Sequence, residues 1–273
     1  MFFNRSEYTD APKEDASPVR KKGAARFFEL LGRDLMPFYK ASLLCCLGCL
    51  PGFVLMVLGL IGNSMLFTLL GGIVGGVLGA PFLCGLIDTI LRALRDEPGF
   101  WWETYKKAWR QNWKDSLLPG FVLGLLSGCW LSMLLILPTM QVVPASIWVC
   151  MGAGILIAAG LFTYAFAQIP LVRLTPTQFV KNCVFFFLGY LPRTLGVALI
   201  QSLYWGAFIL FLPFTLLPLL VTGFWLPWLI SLMIIYPALD SAFSVEKEIG
   251  RRREEELKAS MENDSMFGPG KDG

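Results

Sequence analysis

The chain has no histidine in its 273 residues. Its absence removes the commonest general acid/base and the commonest metal ligand together. Charge is scarce as well. Asp, Glu, Lys and Arg make up 16% of the chain, where a soluble domain carries about 25%. The net charge of +3 is too small to single out a nucleic-acid partner. No Gly-Lys-Ser/Thr follows any of the glycines, which excludes a phosphate-binding loop of that type. No reaction follows from these residues, and the chain is read as a non-enzyme with no metal and no cofactor.

What is abundant is apolar: hydrophobic residues reach 55% and mean hydropathy is +0.61. The few basic residues fall in clusters. One runs from Arg5 to Lys40, one from Arg92 to Lys114, one comprises Arg173, Lys181 and Arg193, and one runs from Lys247 to Lys271. Between them lie three long uncharged blocks, each about twice the ~20 residues that a helix needs to cross ~30 Å of hydrocarbon. Each block has a weak break near its middle: Gly62-Asn63-Ser64, then Pro138 to Pro144, then Pro213 to Pro218 with Thr222-Gly223. The expected fold is therefore all-α, a polytopic membrane helix bundle. It has six spans in three hairpins, at about 41–61, 65–91, 117–137, 145–171, 194–216 and 220–240. Every Lys and Arg falls on the side of both termini. Basic residues are retained in the cytoplasm, so both ends are expected there, and the three short turns outside.

The domain reading follows the same punctuation: a flexible tail over 1–24, a membrane domain over 25–247, and a charged tail over 248–273. The membrane domain divides into hairpin units of about 25–97, 98–173 and 174–247. The units look repeated. At an offset of 74 residues, Phe27-Phe28-Glu29 overlies Trp101-Trp102-Glu103, Tyr39-Lys40 overlies Trp113-Lys114, and Ser42-Leu43-Leu44 overlies Ser116-Leu117-Leu118. Each unit reads as an interfacial lead-in helix, a basic residue and a hairpin; in the third, Thr177 to Tyr190 stands in for the lead-in. An aromatic and basic collar at any membrane boundary would give the same short identities.

The lead-in of the second unit is the best formed. Trp102, Tyr105, Trp109 and Trp113 recur at three- and four-residue spacing, with Lys106, Lys107, Arg110 and Lys114 on the other faces. Such a helix lies in the interface with its rings at the acyl boundary and its charges among phosphates. It reads either as a lipid anchor or as a docking surface for a partner or an anionic substrate.

Glycines carry the packing signal. Gly71, Gly75 and Gly79 stand four apart, as do Gly72, Gly76 and Ala80; Gly120, Gly124 and Gly128 repeat the pattern, and so do Gly48 and Gly52. Small residues at this spacing let helix backbones approach closely. The stripes serve intramolecular packing or a homo-oligomer seam. Cys45, Cys46 and Cys49 form C-C-x-x-C, but in an apolar span with no histidine to complete a ligand set they read as small apolar residues. Intramembrane ionisable residues are the default functional candidates, and few exist. Asp88 stands four before Arg92, the spacing of a helical ion pair. Asp240 ends the last span and is expected to pair with an interfacial Lys or Arg. Gln168 is a neutral polar group at depth. An enzyme acting on lipid would have to draw on Asp88, Asp240, Glu103 and Asp115.

Three stretches together resemble the YesL-like bacterial membrane proteins, a family of unknown function (DUF624). They are Ala80-Pro81, then Asp88 to Arg95, then Trp109-Arg110-Gln111-Asn112-Trp113-Lys114, within the order of hairpins from about 26 to 247. The resemblance implies an integral protein of the bacterial plasma membrane, often linked to carbohydrate uptake, and supplies no catalytic or binding residues. The leading expectation is an accessory or regulatory partner of a transport system, embedded in the lipid bilayer, with its collar as contact surface. The alternative is a transporter or channel with a path between repeats.

Overall fold

The computed structural model describes residues 20–21, 23–211, 214–251, 254–255 and 258. Most of the N-terminal tail, Pro213 and most of the charged C-terminal tail lie outside the described residues. Among those described there is no strand. The elements are α1 (Ala24–Ile61), α2 (Met65–Leu94), α3 (Trp101–Ile136), α4 (Ala145–Gln168), α5 (Pro176–Gly189), α6 (Leu191–Leu210), α7 (Leu216–Thr222) and α8 (Trp225–Phe243), with a 3₁₀ turn over Leu137–Thr139. Six of these helices, α1, α2, α3, α4, α6 and α8, are long and apolar enough to cross a membrane. Large apolar side chains stand bare on the outside, Ile61, Val142 and Leu210 each at 80% exposure. That exposure suits hydrocarbon and would be an aggregation hazard in water.

The chain divides into Met1–Leu35 and Met36–Gly273. In the first unit, Arg26 and Glu29 pair at 3.1 Å and Arg33 and Asp34 at 2.8 Å. The second unit holds the rest of α1 and every later helix.

Two lead-in segments differ from expectation in being no separate elements. α1 has 38 residues and α3 has 36, about 57 and 54 Å at 1.5 Å per residue. Each runs unbroken from its charged stretch into its apolar stretch. Charge does not end a helix; it only changes what the helix faces. The offset of 74 carries Ile61, the end of α1, to within one residue of Ile136, the end of α3, and carries Leu94, the end of α2, onto Gln168, the end of α4. The first two units thus share the positions at which their helices end as well as short identities, although α2 has 30 residues and α4 has 24. In the third unit α5 is a separate helix. Thr175 caps it, with the Gln178 side chain accepting from the Thr175 N–H at 3.1 Å and Pro176 at its first position, the arrangement of a capping box.

α2 lies between two helices and shows each a different glycine stripe. A Cβ on Gly71 would meet the backbone of Met56 and Gly52 in α1, and one on Gly79 would meet Cys49. Gly75 faces Gly52. On the other side, a Cβ on Gly72 or Gly76 would run into the backbone of Gly124, Gly128 and Gly120 in α3. The α2–α3 interface is extensive, whereas α3 touches its hairpin partner α4 far less. In the second unit the hairpin is therefore the unit of connection and not the unit of packing. Dispersion between backbones at contact distance, unavailable to larger side chains, holds the seam.

The third unit departs from the expected arrangement. The connection between α6 and α8 was placed with the other outer turns, and Ser42 at the inner end of the first span. The two meet. Phe224 N–H donates to Ser42 Oγ at 2.8 Å, and Phe38 stacks on Trp225 with ring centroids 6.5 Å apart. Ser42 lies midway along α1, and from there to Ile61 is about 28 Å of helix. α8 then crosses its neighbours in turn: Trp225 on α1, Trp228 against Phe166 of α4, and Phe243 against Phe186 of α5. The core gathers where this crossing occurs. From Leu83 to Leu91 α2 is buried on every face, as is α4 from Thr163 to Gln168, while the Met65 end of α2 buries little beyond its small-residue stripes.

A polar cleft at the basic ends of the helices

Near its Leu94 end, α2 carries Asp88 and Arg92 one turn apart. Arg92 Nε donates to Asp88 Oδ2 at 2.8 Å, with the Asp88 side chain 7% exposed. The chain turns back after α2 through Asp96, which takes a positive φ of 55°. That turn brings Glu97 under both arginines: Arg92 Nη1 lies 3.1 Å and Arg95 Nε 2.8 Å from its carboxylate. Two acids and two guanidiniums neutralise one another in a string along one helix end. A buried carboxylate needs this kind of pairing to remain ionised.

Asp88 and Arg92 of the string line one wall of a cleft of about 170 Å³. α3 supplies Lys107, Ala108, Gln111 and Asn112, and the turn after α4 supplies Ile169 to Arg173. α3 is fixed against this wall by Tyr105, whose hydroxyl donates to Phe82 O at 3.3 Å and whose ring packs on Gly85. Lys107 and Arg173 reach the cleft from elements 66 residues apart. Among the described residues, no carboxylate forms an ion pair with either. The cleft therefore presents a surplus of positive charge together with the side-chain amides of Gln111 and Asn112 as donors.

The other predicted residues are placed as follows. Of the aromatic stripe, Trp102 and Trp113 are exposed at 41% and 44%, Trp109 is half-buried against Phe82 at 5.9 Å, and Tyr105 is buried at 3%. The expectation that all four rings face lipid is corrected for Tyr105, which seals α3 to α2. Lys106 lies over Trp102 at 5.3 Å and Lys114 over Trp113 at 5.7 Å, cation–π contacts within the helix itself. Arg110 is exposed.

Asp240 is not brought to a basic side chain as expected. Its Oδ1 accepts the backbone N–H of Glu246 at 2.9 Å, and its carbonyl accepts from Ser244, which takes a positive φ of 49°. Among the described residues no cation forms an ion pair with this carboxylate, which instead caps the segment that follows α8. Gln168 is fully buried away from the cleft, its Nε2 donating to Tyr164 O at 3.1 Å and Cys183 Sγ at 3.3 Å. Glu103 and Asp115 are exposed on α3 and line no part of the cleft. Among the described residues, no group of three or more Cys, Asp or Glu could hold a metal ion.

Sequence reasoning did not single out Glu97, Arg95, Gln111, Asn112 or Arg173 as site residues. The first two were legible in principle, since Asp88, Arg92 and Arg95 follow helical spacing and Glu97 comes directly after. Arg173 was not, because only the fold brings the turn after α4 to this wall.

The six long apolar helices mark the chain as a multi-pass α-helical membrane protein. Residues 60–134 match the model of a family described as a protein of unknown function, DUF624, the family that the sequence resembles. The matched segment holds both glycine-striped helices of the seam and six of the cleft's residues, from Asp88 to Asn112. No curated protein and no solved structure matches the chain.

Proposed function

We propose that this protein is a non-enzymatic component of the bacterial plasma membrane, with both termini in the cytoplasm. It acts as an accessory or regulatory partner of a carbohydrate transport system. The observation that carries the reading is the contrast between the α1–α2–α3 seam and the basic end. Backbones in contact along Gly72, Gly76, Gly120 and Gly124 leave no passage between those helices. The cleft and the exposed Lys107, Arg110 and Lys114 instead present a charged, hydrogen-bonding surface beside the membrane. Charged and hydrogen-bonding groups so placed steer the encounter with a complementary partner and fix its register. The link to carbohydrate uptake comes from the family resemblance, and the orientation from the placement of Lys and Arg.

Two measurements test it. Photo-crosslinking from position 110 in native membranes is expected to capture a transport-system subunit. Purified protein reconstituted alone into liposomes is expected to move no sugar across the bilayer; solute flux through it would make it a transporter in its own right and end the accessory reading.

A further inference from the structure

We propose that the cleft between α2, α3 and the turn after α4 is a binding site for a phosphate group, with Lys107 and Arg173 as its principal charges and Gln111 and Asn112 as neutral donors. This goes beyond the accessory reading and does not depend on it.

The argument begins with charge. On the α2 wall Asp88 is paired with Arg92 at 2.8 Å, so that this side of the cleft carries no net charge. Lys107 and Arg173 bring two further positive charges to the same cleft with no acid against them among the described residues. Both side chains are exposed, so water screens them from one another, and an anion between them gains from both charges. Other lysines of the same helix have local roles that these two lack: Lys106 and Lys114 each lie over a tryptophan ring.

Size then narrows the ligand. The cleft's 170 Å³ corresponds to five or six waters at about 30 Å³ each, and lies below the ~300 Å³ at which small-molecule pockets begin. A phosphate group with a few waters fits; the rest of any larger ligand must extend out of the cleft's open mouth. Chemistry agrees, because guanidinium, ammonium and amide N–H groups are the donors that tetrahedral oxyanions take up through charge-assisted bonds. Position indicates the source. Trp102 and Trp113 are exposed on the same helix as Lys107, and such rings mark the headgroup level of a bilayer. The phosphodiester of an anionic lipid reaches this depth with its chains alongside α3. A free phosphate ion satisfies the same donors.

The test uses the purified full-length protein in detergent, read by native mass spectrometry. Phosphatidylglycerol, phosphatidylcholine and inorganic phosphate are the probes. Phosphatidylglycerol is expected to remain bound in preference to phosphatidylcholine. The K107Q/R173Q variant is expected to weaken that binding at least tenfold, about what losing one charge-assisted contact implies. Removing the same amount of charge elsewhere, in K106Q/K114Q, should change it less than twofold, and the charge-conserving K107R/R173K should retain it. Displacement of the lipid by millimolar inorganic phosphate from the wild type, with the loss in K107Q/R173Q preserved, supports the site and assigns it to the free ion. Equal retention of the two lipids, or equal affinity in wild type and K107Q/R173Q, overturns the proposal. Should K107Q/R173Q fail to fold, the single variants K107Q and R173Q carry the test, and a loss of phosphatidylglycerol in both no larger than that in K106Q/K114Q overturns the proposal.

Discussion

The α2–α3 seam and the α6–α8 pair solve the same problem with opposite chemistry. Between α2 and α3 nothing intervenes: glycines face glycines, and backbone rests on backbone. Between α6 and α8 the side chains do the joining. Gln201 Nε2 donates across to Ser231 Oγ at 3.1 Å and Pro227 O at 3.4 Å, Trp205 Nε1 within α6 donates to Gln201 Oε1 at 3.0 Å and holds that amide in place, and the Tyr204 hydroxyl donates to Gly223 O at 2.7 Å in the connection that enters α8. In lipid, where apolar burial gives helices little reason to associate, these are the two remaining sources of cohesion. They differ in tolerance. A backbone contact has no slack, because nothing in it can rotate away, whereas a hydrogen-bonded pair has rotamers to spare.

That comparison is broken most severely at Gly72 or Gly76. Leucine at either position would have to displace the backbone of α3, and the expected loss is at or above the ~3 kcal/mol upper end for overpacking, read as a collapse of the melting temperature in detergent. A loss below ~1 kcal/mol would mean that the seam is looser than its geometry. The ion string comes next. R92Q alone leaves the buried Asp88 carboxylate without its nearest cation and is expected to cost about 3 kcal/mol. D88N/R92Q, which removes both charges, should cost clearly less than R92Q. If the double variant is the worse of the two, Asp88 does not depend on Arg92.

Gln201→Leu removes the Nε2 bonds to Pro227 O and Ser231 Oγ on α8, and about 0.6–2 kcal/mol is expected from interhelical bonds in membranes. If Gln201→Leu is as damaging as leucine at Gly72, the contrast in tolerance is wrong. The smallest effects belong to glycines with open space beside them. At Gly152 and Gly196 an added Cβ meets nothing within 4 Å, and alanine there should shift stability by less than about 0.5 kcal/mol. A labelling experiment sharpens the comparison without touching stability. In a background without native cysteines, Asn63→Cys is expected to react rapidly with an impermeant thiol reagent from outside. Phe214→Cys, in the connection that leads to the middle of α1, is expected to react far more slowly.

Much of this was legible in the sequence. Run lengths and the sorting of charge are enough for an all-α fold with six apolar helices, because hydrocarbon thickness and the cost of burying charge act on composition directly. The glycine spacing was legible too, but not which neighbour each stripe faces. Gly71 and Gly72 are adjacent in sequence and serve different helices, a distinction that only the packed bundle makes. The path of α8 was illegible for a related reason. Its apolar residues are spread around the helix, so periodicity names no partner. The cleft was half legible: Asp88, Arg92 and Lys107 stood out by spacing, whereas Arg173 needed tertiary structure. Asp240 misled because an unpaired acid near a membrane boundary suggests a cation, and the competing backbone amide of Glu246 becomes available only once Ser244 turns the chain.

The bond from Phe224 to Ser42 joins positions 182 residues apart. Synthesis proceeds at about 5–20 residues per second, so the first helix waits roughly ten to forty seconds for the partner that covers its midpoint. Throughout that interval the Ser42 hydroxyl and the Phe38 ring need a substitute, which only lipid or the insertion machinery can offer. The membrane in which this chain is made is thus a temporary stand-in for its own last helix.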